Sequence, residues 1–177
     1  MTKENFKQDF FKLVEKADNI VITSHLSPDD DSIASVLSMY SILILKFPNK
    51  KIQIIYTGQS VDRYNAFFNF DKIQFVDDIS NHLEGVDTLV LLDLSNFNRS
   101  SMLPEELVKV PTRVCIDHHG SEPDEFTLAL IDTSYSSNSE LLYNILEAEQ
   151  YLDKPLAEIF LLGILGDTGN LTHIGSG

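Results

Sequence analysis

His25 follows the β-branched run IVITS, and four to six residues later come Asp29, Asp30 and Asp31 in HLSPDDDS. Asp93 ends the run TLVLLD, Asp117, His118 and His119 end RVCID, and Asp167 closes the apolar LLGILGD. In an open parallel sheet the carboxyl ends of the strands share one edge, where ligands bind. These acids and imidazoles would therefore meet, although they are spread along most of the chain. Such groups crowded into one crevice cannot all stay charged and unpaired, because burial penalises each uncompensated charge. Bound metal resolves the conflict. Mixed carboxylate and imidazole donors without thiolates suit Mn²⁺, with Fe, Mg²⁺, Co²⁺ or Zn²⁺ as alternatives. Four carboxylates carry a charge that two divalent ions balance and one does not. A pair of ions about 3.5–4 Å apart is a standard device for activating water against phosphorus.

The elements that must position these residues follow from periodicity. ENFKQDFFKLVEKA carries Phe6, Phe10, Leu13, Val14 and Ala17 at helical spacing, which predicts an opening amphipathic helix. IVIT (20–23) reads as a buried strand, and Ser32 to about Phe47 as a helix stopped by Pro48 and Asn49. KIQIIYT (51–57), IQFV (73–76), TLVLLD (88–93) and RVCID (113–117) read as strands, and FTLALID (126–132) as a weaker, edge candidate. VDRYNAFFNF is a short helix or loop. SNSELLYNILEAEQ and PLAEIFLLGILGD are two later helices, the second opening on Pro155. Alternating strands and helices imply an α/β fold: a mostly parallel five-stranded sheet with helices on both faces.

Composition narrows the partners. The 177 residues suit one domain, and 43% hydrophobic residues can fill a core without staples. The single cysteine, Cys115, excludes an internal disulfide and a thiolate-rich zinc site, and its apolar neighbours mark it as a core residue. A net charge of −14 argues against a wide basic track for duplex nucleic acid. It does not exclude a phosphate-bearing substrate, since metal ions reverse the local field. No stretch has the length and apolarity of a signal peptide or membrane span, which points to a cytoplasmic protein with no membrane partner.

Taken in order, His25, Pro28, Asp29 and Asp31 in HLSPDDDS, Asp93 and Arg99 in DLSNFNR, Asp117-His118-His119, and Asp167-Thr168-Gly169 resemble the four motifs of the DHH phosphoesterases. The resemblance runs from residue 20 to 170. It implies that His25, Asp29 and Asp93 hold one Mn²⁺, and that Asp31, Asp93, His118 and Asp167 hold a second, with Asp93 bridging. It also implies that Asp117 orients a histidine and that His119 faces the attacking water or the substrate phosphate. Arg99 would contact a phosphate. The implied reaction is in-line attack of a metal-activated hydroxide on the phosphorus of a small nucleotide or short oligonucleotide. Residues 1–177 would then form a single catalytic domain, with the family's smaller substrate-binding C-terminal domain absent or truncated, and substrate handled poorly as a result. A homodimer is left open.

Within that family, nano-RNases that also hydrolyse 3′-phosphoadenosine 5′-phosphate fit the chain better than cyclic-dinucleotide phosphodiesterases, single-strand exonucleases or pyrophosphatases. A catalytically silent, metal-bound nucleotide sensor is the reading from another class. Plainer roles exist for several residues. Asp29 or Asp31 could cap a helix N-terminus, SSNSE could do no more than open one, and DTGN could be a turn. His82 and Asp77-Asp78 read as solvated surface, and His173 is a weak candidate for the cleft. Asp30 stands where the family often has glycine, so it is expected to be no ligand, pointing outward or toward a donor beside the site.

Overall fold

The computed structural model describes residues 2–94, 104–120 and 126–172. The strands are β1 (Asn19–Thr23), β2 (Lys51–Thr57), β3 (Ile73–Val76), β4 (Thr88–Leu92), β5 (Thr112–Asp117) and β6 (Leu128–Ile131). They form a single sheet in the order β3-β2-β1-β4-β5-β6, and every neighbouring pair is parallel. The α/β class is as expected, but the sheet has six strands rather than five. FTLALID supplies the sixth as a parallel edge, its outward residues half-exposed as an edge strand allows. Helices α1 (Lys3–Lys16), α2 (Asp30–Lys46), α3 (Pro104–Leu107), α4 (Asn138–Ile145) and α5 (Lys154–Asp167) complete the regular structure.

Side chains alternate across the pleat, and the two faces of the sheet are covered unequally. Ile20, Ile22, Ile54, Tyr56, Val90, Leu92, Val114 and Ile116 pack into the main core with α1, α2, α4 and α5. Val21, Ile55, Leu89 and Leu91 point the other way. They meet a smaller cluster of Ile79, Leu83, Val86, Leu107 and Val110, carried by a 3₁₀ turn (Ile79–His82), the segment after it and α3. Helix α2 is buried on nearly every side. Its serines fold their hydroxyls back onto the helix or onto neighbours: Ser38 donates to Ser35 O and Ser41 to Leu37 O, while Tyr56 donates to Ser32. That lets a serine-rich run sit in the core without unpaired polar groups.

VDRYNAFFNF is a 3₁₀ turn (Asp62–Tyr64) followed by loop, as a short helix or loop was expected there, whereas the helix expected through EAEQ stops at Ile145. No helix among the described residues is long and apolar enough to cross a membrane. The strand order places β1 and β4 side by side at the centre, with the chain leaving them toward opposite edges. This is the topological switch point, where a crevice opens beyond the carboxyl ends. Ser24 Oγ donates to Leu92 O at 2.6 Å and ties the two strand ends together there.

Candidate metal centre

Every group in the crevice is delivered by the end of an element. His25 lies just past β1 and is buried. Its Nδ1 sits 2.7 Å from Leu26 O, so Nδ1–H donates there and Nε2 is the atom left for the site. Asp29 caps α2. One carboxylate oxygen accepts from Ser32 N at 2.9 Å, and the other lies 3.3 Å from His25 Nε2. Capping and a place in the crevice thus coexist in one side chain. Asp31, on the first turn of α2, is fully enclosed.

Asp93, the first residue after β4, is buried with its backbone at φ 53, in the left-handed region that a non-glycine residue enters at a cost. Its Oδ2 lies 3.5 Å from His25 Nε2, and its Oδ1 lies 3.6 Å from His118 Nε2 and 3.4 Å from His119 Nδ1. One carboxylate therefore faces three imidazoles, His25 through one oxygen and His118 and His119 through the other. His118 resembles His25: Nδ1 sits 3.3 Å from Tyr135 O, and Nε2 looks into the crevice toward Asp167 at 3.1 Å and Asp31 at 3.8 Å. Asp167 ends α5 with no basic residue in its last turn. An anion there opposes the helix dipole and needs a cation nearby. Asp117, fully buried at the end of β5, accepts from the His119 amide at 2.8 Å and sits 3.0 Å from its Nδ1. That contact orients His119, which is 43% exposed.

The ligand atoms fall into two groups, each within 4.8 Å: His25, Asp29 and Asp93, and Asp31, His118 and Asp167. A further group joins Asp93 and Asp117 to His118 and His119. His25 Nε2, His118 Nε2 and Asp93 Oδ1 are buried with no hydrogen-bond partner. Imidazole nitrogens whose other nitrogen is committed, aimed at carboxylates, are the arrangement a cation completes. The donor set fits divalent metal.

The protonation preferences report the same deficit of positive charge. Burial works to lower the pKa of His25, but the Asp29 and Asp93 carboxylates that its Nε2 faces override it and raise it to about 10. Asp117, then Asp93, raise His119 to about 10. His118 is raised against its burial, chiefly by Asp167. Burial, then the charge of Asp93, push Asp31 up to about 7. Burial also works upward on Asp93, but His119 and His25 hold it below the usual carboxylate range. Without metal, the facing carboxylates favour the protonated form of each histidine.

Three features of the site were not foreseen. The first two amides of α4 grip Asp31: Asn138 N donates to Oδ2 at 2.6 Å and Ser139 N to Oδ1 at 2.9 Å. The Asn138 side-chain amide, oriented so that both ends are satisfied, donates to Ile116 O at 3.1 Å and accepts from Asp93 N at 3.3 Å. It spans β4 and β5 and braces the left-handed turn at Asp93. Third, α5 approaches the SPDDDS turn on two glycines. A Cβ on Gly163 would come within 2.0 Å of Ser139 Oγ and 2.7 Å of Asp31 Oδ1, and one on Gly166 within 2.4 Å of Asp30 Cβ. Glycines inside an otherwise apolar helix were the available signal. Asp30 itself faces away from both ligand groups, its Oδ1 taking the Tyr64 hydroxyl at 2.6 Å. His82 belongs to none of the groups, and Arg99 and His173 lie outside the described residues.

Against known proteins, the model of the DHH family, N-terminal domain, matches residues 19–164. The chain is 26% identical over 167 residues to the bifunctional oligoribonuclease and PAP phosphatase NrnA of Bacillus subtilis, covering 92% of this chain and 50% of that protein. It is 31% identical over 157 residues to the protein of that name from Thermus thermophilus, covering 85% of this chain and 44% of the other. Among solved structures, an exopolyphosphatase-related protein from Bacteroides fragilis superimposes with a TM-score of 0.87 at 26% identity, over all of this chain and 55% of that one. The chain spans about half the length of the curated relatives it matches. With the family model covering most of the chain and its named histidines and aspartates gathered at the switch point, this chain belongs to the DHH family through its N-terminal domain.

Proposed function

We propose that this chain carries a two-metal phosphoesterase centre acting on phosphate mono- or diesters of small nucleotides or very short oligonucleotides. The observation that carries the reading is Asp93, one buried carboxylate facing His25 through one oxygen and His118 through the other. His25, Asp29 and Asp93 would hold one ion, and Asp31, Asp93, His118 and Asp167 the other. Mn²⁺ is the first choice for this mixture of oxygen and nitrogen donors. When bound, the two ions supply Lewis-acid polarisation of the phosphoryl group and a water of lowered pKa.

The chain's own residues do the rest. Asp117 fixes the His119 ring through Nδ1, leaving Nε2 as the nitrogen that can meet substrate or exchange a proton at the exposed mouth of the crevice. The α4 amides and Asn138 hold Asp31 and the Asp93 turn in place before substrate arrives, so little reorganisation is needed during reaction. Arg99 remains the proposed phosphate contact from the DLSNFNR motif. The substrate class follows from the names of the relatives, oligoribonuclease and PAP phosphatase.

One panel tests this. The Mn²⁺-loaded chain is assayed on 3′-phosphoadenosine 5′-phosphate, two- to five-nucleotide RNA, linear and cyclic di-AMP, pyrophosphate and single-stranded DNA. Turnover of the first two, lost in EDTA and restored by Mn²⁺, is the expected result. Nucleotide binding with no turnover anywhere on the panel would replace the enzyme with a silent sensor.

A further inference from the structure

Beneath the first ion's proposed ligands lies a buried hydroxyl that the chemistry described so far does not use. Tyr56, near the end of β2, is fully enclosed, and its ring packs against Phe75 with 5.9 Å between centroids. A phenylalanine would fill that space with no polar atom to satisfy, so the hydroxyl is explained by what it touches. It donates to Ser32 Oγ at 2.9 Å. Ser32 Oγ in turn accepts from Asp29 N at 3.0 Å and donates to Asp29 O at 3.2 Å, while Ser32 N donates to the Asp29 carboxylate at 2.9 Å. Ser24 is the second hydroxyl that bears on Tyr56: burial pushes the phenol's pKa up, and Ser32, then Ser24, work against that rise. Ser24 directly precedes His25, and its Oγ donates to the carbonyl of Leu92, the neighbour of Asp93.

One phenolic oxygen therefore sits where three chain segments meet: the α2 cap that carries Asp29, the β1 end that carries His25 and the β4 end that leads to Asp93. The second ion's own ligands are held by other means. Asp31 takes the α4 amides, His118 turns on the Tyr135 carbonyl, and Asp167 comes from α5. The need for a brace is greatest at Asp29, whose side chain is 52% exposed, whereas Asp31 is enclosed by packing. Without packing around it, that carboxylate depends for its geometry on the cap that Tyr56 supports. We propose that Tyr56 is a positioning residue for the first ion alone, setting Asp29 and His25 at the spacing that ion needs, so that separate parts of the fold tune the two ions. This role rests on the two-ion reading above and assigns one ion's affinity to a residue that is itself no ligand.

The test is calorimetric titration of the chain with Mn²⁺, together with the manganese spin-resonance signal, which distinguishes a coupled pair from isolated ions. Tyr56→Phe keeps the ring and removes the hydroxyl, and a melting curve without metal checks that it folds. The parent should bind two ions. In Tyr56→Phe one should bind about tenfold more weakly and the other within about twofold of the parent, and the coupled signal should need correspondingly more Mn²⁺ to appear. Asp29→Asn keeps the helix cap while impairing the first ion's site, and Asp167→Asn impairs the second's. Adding Tyr56→Phe should weaken the remaining ion about tenfold in Asp167→Asn and leave it unchanged in Asp29→Asn. If Tyr56→Phe fails to fold, Ser24→Ala, which cuts the other arm of the junction, takes its place in the same comparison. Both ions unchanged, both weakened alike as a general loosening of the fold would give, or the opposite pattern in the two backgrounds overturns the role of Tyr56 and leaves the two-ion centre standing. Fewer than two ions in the parent removes the centre itself, and the role of Tyr56 with it.

Discussion

Asp93 is the residue on which the site turns, and its backbone dictates how it is best tested. At φ 53 an alanine would add strain of its own, whereas asparagine tolerates the left-handed region and keeps the shape. Asp93→Asn is therefore expected to melt close to the parent in the absence of metal, while metal analysis finds fewer than two ions per chain and phosphoesterase rates drop on the order of 10²-fold or more. Asn138→Ala should lower metal affinity about 10–100-fold without removing any ligand, because it takes away the side chain that braces the Asp93 turn against β5 and leaves only the direct bond of 3.1 Å from Asp93 N to Ile116 O. Titration with Mn²⁺ separates the two variants: fewer ions in one, weaker ions in the other. His25, Asp29, Asp31, Asp93, His118 and Asp167 could be read from the sequence because their side-chain types at element ends announce their chemistry. Asn138 and Ser139 could not, because their hold on Asp31 runs through backbone amides, which every residue but proline possesses.

At the scale of elements, the close approach of α5 to the start of α2 sets where Asp167 meets His118. Gly163→Ala gains about 1 kcal/mol of helix propensity but drives a methyl into Ser139 and Asp31. Overpacking of that kind costs about 1–3 kcal/mol, so a lower melting temperature and weaker metal binding are expected together. Gly166 offers a cleaner experiment, since the atoms nearest to an added Cβ all belong to the side chain of Asp30. Gly166→Ala should be destabilising in the parent and tolerated once Asp30→Gly removes that side chain. Denaturation of both single variants and the double variant should show a coupling within the range of about 0.5–3 kcal/mol found for contacting residues. The strands were legible because continuous apolar runs mark a sheet covered on both faces. β6 was the weak one because only alternate residues of Leu128–Ile131 are buried. The partner face of α5 was harder to see, because periodicity shows that a helix is apolar and not which neighbour it meets.

For the molecule as a whole, a chain of net charge −14 gathers Asp29, Asp31, Asp93, Asp117 and Asp167 at one edge of the sheet, and folding must hold those carboxylates together. Ions that bind the folded state and not the unfolded one stabilise it by about 2.7 kcal/mol each at a hundredfold excess over Kd. For a domain of this size that corresponds to a rise on the order of 5–10 °C per ion. Chelation should lower the melting temperature by that order, and a melting curve indifferent to confirmed metal loss would remove the centre from the account. The parallel order β3-β2-β1-β4-β5-β6 explains why residues far apart in the chain meet, since it sets β1 and β4 together and opens the crevice between them. The most direct measurement is anomalous diffraction at the manganese edge from crystals grown with Mn²⁺. Two peaks about 3.5–4 Å apart are expected, one against His25 and Asp29, the other against Asp31, His118 and Asp167, with Asp93 touching both. A single peak, or manganese bound away from Asp93, would contradict the two-metal centre.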